Sequence, residues 1–422
     1  MKETVRFIGK IIFIFTLFAI LFSFAMFQGG FTSWFLFYSF LPIFLYHIGL
    51  LFYPIKNWEV TRHLSQHVVR AGDQVSVTIE IDRKIPFPLY YCICEEVFPG
   101  SLNKIDNRYE KYNYLEQPNK LHANRSIKKI TFPWFKRNIR LTYTIDQIPR
   151  GEHQLQAVRI RTGDVFGMIK KEHYFPISTE LVAYPDERPV MLKDKISSYE
   201  QGSISSYTMN LKNTNVASGI REYMPGDRFS WIDWKQTAKK NDVMTKEFEQ
   251  EKSTDTLIIL DSCFYESLNP LAFEASVEIG MSLIETIRKQ ASQVGFLSIG
   301  QEITSFPVQH DPTKKEWIRK HLTRLYPTKT QSFSIKLKEE MLKIANEYFI
   351  IVITTRMDEQ LKETLQQINV RKKRLSLIYI QSKNRITEQD QRMLKQLDQE
   401  GVGINILTEK ELVNNPIGVN GL

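Results

Sequence analysis

The pattern of apolar and polar positions changes character twice along this chain. Ile11 to Phe27 is uncharged and mostly apolar for 17 residues, Gln28-Gly29-Gly30 interrupts, and Phe31 to Tyr53 continues uncharged for 23. A helix of about 17 to 25 such residues crosses the hydrocarbon core of a bilayer. The pattern predicts a two-helix transmembrane hairpin over residues 1–56. A signal peptide is the rival reading, because Lys2, Arg6 and Lys10 precede the first run. It loses because no small-x-small cleavage site follows and a second span comes directly after.

From residue 57 the period becomes two. Val75, Val77, Ile79 and Ile81 alternate with Ser76, Thr78, Glu80 and Asp82, and Ile139, Leu141, Tyr143 and Ile145 repeat the pattern. Turn signals at Ala71-Gly72-Asp73, Pro86-Phe87-Pro88, Pro149-Arg150-Gly151 and Thr162-Gly163-Asp164 separate such runs, as in a β-sandwich-like domain over 57–185. The interval Asn103 to Lys129 is polar, basic and rich in Tyr. It is expected as a long loop or an irregular hairpin whose charge faces anionic lipid or solvent.

A polar linker at 186–218 leads into a third regime at 219–422, where strands alternate with helices. Strands are expected at 256–260, 294–299, 303–308, 348–354, 375–380 and 403–407. Helices are expected at 270–293, 314–325, 335–347, 358–367 and 387–399. This alternation predicts an α/β doubly wound, mostly parallel sheet, with the closely spaced second and third strands forming an antiparallel edge hairpin.

The densest stretch runs from Gly219 to Cys263. Pro225-Gly226 can fill the centre of a type II turn, and Ser230 with Asp233 makes the spacing of a helix N-terminus. A short helix is therefore expected to start at Trp231, with Trp231 and Trp234 as core anchors. Arg221, Glu222, Asp227, Arg228, Asp233 and Lys235 would surround them as a solvated ion-pair network or as part of an interaction surface. Thr256 to Leu260 is an apolar run ending in Asp261, the position at which open α/β sheets place ligands.

Gly219 to Ala238, followed by that strand and Asp261, resembles the signature of the bacterial domain-of-unknown-function 58 family, whose C-terminal part is von Willebrand factor A-like. The likeness reaches Arg150-Gly151, Asp164-Val165-Phe166-Gly167 and Tyr184-Pro185. It implies a MoxR-type AAA+ ATPase as partner, often beside a transglutaminase-like membrane protein, and a role near membrane or cell-envelope assembly. Partner-binding candidates are then Arg221, Glu222, Tyr223, Gly226, Asp227, Trp231, Asp233 and Trp234. Domains of this fold commonly hold a divalent cation through Asp-x-Ser-x-Ser, a distant Thr and a distant Asp. Here the corresponding residues are Asp261, Cys263, Tyr265 and either Thr328 or Thr330, with Thr354-Thr355-Arg356 where the second aspartate belongs. A soft thiol, a bulky phenol and a nearby arginine suit Mg²⁺ poorly, so the metal site is expected to be degenerate and no cofactor is expected.

Charge and cysteine content narrow the function further. A formal net charge of +9 on a membrane-anchored chain fits anionic lipid or no partner better than nucleic acid. Positive residues flank the hairpin, with Lys56 and Arg62 after it, and none lies in its turn. Both termini are therefore expected in the cytoplasm of a two-span protein of the cell membrane. His47 inside the second span is expected to hydrogen-bond or to reach the interface. Three cysteines make no disulfide framework, and Cys92 and Cys94 are expected as two thiols on one strand face. The function expected is a non-catalytic adaptor. The alternatives are a metal-dependent hydrolase built on Glu222, Asp227, Asp233, Glu247 and Asp261, and a basic lipid or nucleic-acid binding module.

Overall fold

A computed structural model describes residues 2–193, 217–224, 229, 232–240, 242–248, 255–289, 293–307, 313–329, 332–344, 348–372 and 375–420. The chain forms two units. The first comprises 1–111, 117–186 and 322–324; the second comprises 112–116, 187–321 and 325–422.

The first unit begins with helices α1 (Lys2–Gln28) and α2 (Phe31–Phe52), both long and apolar enough to cross a membrane. Gly29 and Gly30 make the turn between them at positive φ (56° and 95°), which glycine tolerates without strain. The helices pack through aromatic side chains, with Phe18 5.5 Å from both Phe37 and Phe44. Eight strands follow: β1 (Glu59–Leu64), β2 (Val68–Arg70), β3 (Val75–Asp82), β4 (Tyr91–Val97), β5 (Lys128–Thr131), β6 (Asn138–Ile145), β7 (Gly151–Gly163) and β8 (Lys170–Tyr184). They form a three-stranded sheet in the order β1-β3-β6 and a five-stranded sheet in the order β2-β8-β7-β4-β5. One apolar core draws side chains from both sheets and from the end of α2. The alternation read in the sequence holds: Val75, Val77, Ile79 and Ile81 all face inward. Cys92 and Cys94 lie buried on one face of β4, and burial pushes the Cys92 thiol up to about 12.

Two segments of this unit turn inward. Arg62, one of the positive residues after the hairpin, is the first. Its guanidinium is buried, paired with Glu96 at 2.6 Å, and it donates to the Leu155 and Ile177 carbonyls. Tyr143 completes that buried network through Glu96. The interval 103–129 takes the irregular-hairpin form, the Ile105 amide donating to the Leu121 carbonyl (2.8 Å) and the Ala123 amide to that of Asn103 (2.9 Å), and several of its side chains are buried rather than solvated. Leu121 is buried, Lys111 is buried against Asp106 at 2.7 Å, and Tyr112 and Leu115 are buried as part of the second unit.

In the second unit, β9 (Val190–Lys193) precedes a small antiparallel pair, β10 (Ala217–Glu222) and β11 (Met244–Phe248), with the short helix α3 (Trp234–Lys240) between them in sequence. The main sheet is built from β12 (Thr256–Asp261), β13 (Val294–Ile299), β14 (Ile303–Phe306), β15 (Phe349–Thr354), β16 (Leu375–Ile380) and β17 (Gly403–Leu407). Its order is β14-β13-β12-β15-β16-β17, parallel except for the β14 edge. The connecting helices are α4 (Pro270–Lys289), α5 (Thr313–Arg324), α6 (Phe333–Lys343), α7 (Glu359–Lys372) and α8 (Glu388–Gln399). After β17, α9 (Glu409–Val413) leads to β18 (Ile417–Asn420), which pairs in parallel with β9. Strands β12 and β16 are buried along their whole length, which is why they read as continuous apolar runs rather than alternations. The polar centre of this unit is Glu278 on α4. It accepts from the Tyr112 hydroxyl at 2.5 Å and from Arg188, whose guanidinium also donates to the Leu412 carbonyl at 2.8 Å.

Candidate functional site

The strand order turns back on itself between β12 and β15, and the crevice at the carboxyl ends of those two strands is where α/β sheets place ligands. Asp261 sits there, buried. Its Oδ1 accepts from the Cys263 amide at 3.0 Å, its Oδ2 accepts from the Thr354 hydroxyl at 2.8 Å, and the Tyr265 hydroxyl reaches Oδ2 at 3.2 Å. Burial raises this carboxyl to about 6, an effect that the three hydrogen bonds only partly offset. The Arg356 guanidinium stacks over the Tyr265 ring at 4.7 Å and stands 3.6 Å from Asp358. Burial also pushes the Cys263 thiol up to about 12.

The outer wall of this edge is held by Thr328. Its hydroxyl accepts from the Gln301 amide at 2.8 Å, and its backbone bridges the Ser262–Phe264 segment. A Cβ at Gly300 would lie 2.6 Å from the Ser262 hydroxyl and 3.0 Å from that of Thr328, so the two chain segments meet here only across a glycine. Lys336 Nζ caps the same corner, donating to the Gly300 carbonyl at 2.6 Å. Asp261, Cys263, Tyr265 and Thr328 are thus brought to one sheet edge, while Thr330 lies outside the described residues. An aspartate at a strand end can cap the next helix or pair with a basic side chain. Instead Asn269 caps α4, accepting from the Leu271 amide at 3.0 Å, and Asp261 ties the ends of β12 and β15 through hydroxyls. Thr354 is the partner that sequence reasoning passed over, noticed there only as the residue standing near a missing aspartate. Among the described residues no group of three or more His, Cys, Asp or Glu side chains could hold a metal ion.

The second candidate is the motif beginning at Gly219. Strand β10 pairs with β11, placing Arg221 opposite Thr245 and Glu222 opposite Met244, and the Tyr223 amide continues the ladder to the Val243 carbonyl at 2.8 Å. Ile232 is buried and bridges Thr245. Asp233, rather than a residue three positions earlier, is the helix cap. Its Oδ1 accepts from the amides of Lys235 (3.1 Å) and Gln236 (3.2 Å), so α3 begins at Trp234 and not at Trp231. That shift overturns the core role expected of Trp234. Ile232 takes the inward position, and Trp234 at the first helical position is 69% exposed. Met224 and Phe229, earlier in the same motif, are 62% and 78% exposed. They were not singled out in the sequence, although two large apolar side chains in a polar turn are themselves a signal. Gly226, Asp227 and Trp231 lie outside the described residues, as does the side chain of Glu247.

The sequence model described as "Protein of unknown function DUF58" matches residues 219–390, beginning where this motif begins. A Bacillus subtilis (strain 168) protein named "Uncharacterized protein YeaD" is 34% identical over 334 residues, covering 79% of each chain. The chain belongs to the DUF58 family. Solved structures add little to this assignment. The CARDB domain of PF1109 from Pyrococcus furiosus covers 30% of the chain and 87% of its own at 7% identity and a TM-score of 0.19. The sporulation control protein Spo0M from Bacillus subtilis covers 30% of the chain and 50% of its own at 14% identity and a TM-score of 0.15.

Proposed function

We propose that this DUF58 protein is a membrane-anchored, non-catalytic adaptor that presents its α/β unit, on the cytoplasmic side, to a protein partner. We read the six-stranded sheet as von Willebrand A-like and the two sheets of the first unit as a β-sandwich. The strand order and the antiparallel β14 edge support the first reading; a core shared by both sheets supports the second. The observation that carries the adaptor reading is the exposure of Trp234, Phe229 and Met224 in the motif that opens the family match. Large apolar side chains exposed in one short stretch favour contact with another protein, and Trp is among the residues enriched at interface hot spots. Asp261 supports the non-catalytic part, since a buried carboxyl engaged by three internal donors holds strand ends together and offers no open position to a substrate.

The partner favoured is a MoxR-type AAA+ ATPase, with a transglutaminase-like membrane protein as a neighbour in the same assembly. The test is purification of the whole chain in detergent with and without ATP, followed by identification of what accompanies it. An ATPase whose retention depends on nucleotide is the expected result. Recovery of the chain alone under both conditions, or phosphatase, nuclease or peptidase turnover that Asp233→Ala abolishes in a still-folded protein, would overturn the reading.

A further inference from the structure

The first unit carries apolar side chains that neither its core nor the proposed partner surface accounts for. They gather on turns packed against the end of α2. We propose that the turn Asp164–Ile169 lies inside the bilayer beside the second span, with the turns around Pro86 and Trp134 at the lipid interface next to it, so that this unit has a lipid-facing end. The inference rests on the reading of α1 and α2 as membrane spans.

Depth is set by a ring contact. Phe166 stacks on His47 with centroids 6.1 Å apart, and His47 Nε2 lies 3.3 Å from Asp164 Oδ2. His47 stands five residues before the end of α2, so at 1.5 Å per residue the ring of Phe166 lies roughly 7 Å inward from that end. The 22 residues of α2 make a helix of about 33 Å, close to the roughly 30 Å hydrocarbon thickness, which puts that depth within the apolar layer.

Backbone at such depth has to hold its polar groups within the protein. In this turn the amides, that of Val165 apart, are held internally. The amides of Phe166 and Met168 donate to Asp164 Oδ2 (3.1 and 3.2 Å), and that of Ile169 donates to Oδ1 (2.6 Å). Gly167 donates to the Asp164 carbonyl (3.3 Å), and Asp164 donates to that of Ile169 (3.2 Å). One buried carboxylate therefore organises a turn whose outward side chains, Val165 and Phe166, are 59% and 66% exposed. The Asp164-Val165-Phe166-Gly167 sequence gains a physical reason from this arrangement, and so does His47.

The two neighbouring turns are fixed from below by Arg83, which is fully buried. It donates to the carbonyls of Phe87 (3.0 Å), Trp134 (3.0 Å) and Lys136 (2.8 Å). Phe87 stacks on Tyr53 at 5.1 Å, and a Cβ at Gly49 would come within 2.7 Å of its ring. Trp134 is held at a φ of 47°, unusual for a bulky residue, and stands 55% exposed beside Phe135 at 64%. Exposed Lys84, Lys136, Arg137 and Lys170 rim these turns. Aromatic side chains bordered by cations are the composition of a membrane–water interface, and their continuity with the end of a span favours lipid as the occupant.

The test places single spin-labelled cysteines at Leu45, Phe166, Phe135 and Gln154 of the full chain in lipid nanodiscs, and compares collision with oxygen against collision with a water-soluble nickel chelate. The three native thiols are buried and label poorly. The label at 166 should match the one at 45 in favouring oxygen, the label at 135 should be intermediate, and that at 154 should favour nickel. A second label at Val165 reads the same turn should substitution of Phe166 disturb the His47 contact. Labels at 165 and 166 as open to nickel as the one at 154, with 45 still in lipid, would overturn the proposal. Nickel access at 45 as well would instead sink the membrane reading, and the proposal with it.

Discussion

Asp261 is the residue whose chemistry makes the sharpest prediction. Folding moves it from the ordinary aspartate value of 3.8 to about 6, with burial as the main cause. A carboxyl raised in this way favours the folded state while protonated. Its contribution is fully present below about pH 3.8 and is lost as pH rises through about 6. Asp261→Asn keeps a neutral group able to serve Thr354 and the Cys263 amide. The stability of the wild type relative to this variant should therefore fall by on the order of 3 kcal/mol between pH 4 and pH 7, then level off. Denaturant melts of the two proteins across that range check it; parallel profiles would show that Asp261 is charged and compensated throughout. The sequence located this residue, because an aspartate ending an apolar run marks a strand end. It did not reveal the hydroxyl partners. Tyr265 and Thr354 lie 4 and 93 positions away, and neither hydrogen bond has a local signature.

At the scale of elements, α3 and the pair β10–β11 separate packing from presentation. Asp233→Ala removes the cap and should cost about 1 kcal/mol of local stability, visible as faster amide exchange in α3. Trp234→Ala removes only an exposed ring, so the melting temperature should hold. If the ring is an interface anchor, affinity for the co-purifying ATPase should drop by about 2 kcal/mol, roughly thirtyfold. Equal affinity in a binding titration would place the interface elsewhere. The contrast explains what was legible here. Periodicity located β12 to β17 and their helices within a few residues, because burying a strand on two faces or a helix on one leaves a repeat in the sequence. A two-turn helix with no buried residue leaves no such repeat, and either of two capping residues could have started it. Strands β9 and β18 escaped for a related reason. Four residues each are too short for a period, and their pairing joins residues far apart in the chain.

The whole molecule is read as two units held to a membrane by an N-terminal hairpin. The pattern at 11–53 was unambiguous as apolar helix, and the helices formed are long enough to span. The flanking charge was less informative, since Arg62 is folded away against Glu96 and Lys56 remains the exposed cation after the second helix. Orientation decides whether the proposed assembly can form, because an ATP-dependent partner can meet the α/β unit only on the cytoplasmic side. Cys92, Cys94 and Cys263 are all buried, which leaves a quiet background for single introduced thiols. Cysteines placed separately at Gly29, in the hairpin turn, and at Lys329, in the α/β unit, should react oppositely with an impermeant maleimide added to intact cells. Labelling at 29 and protection at 329 until the cells are opened are the expected results; labelling at 329 in intact cells would contradict a cytoplasmic α/β unit.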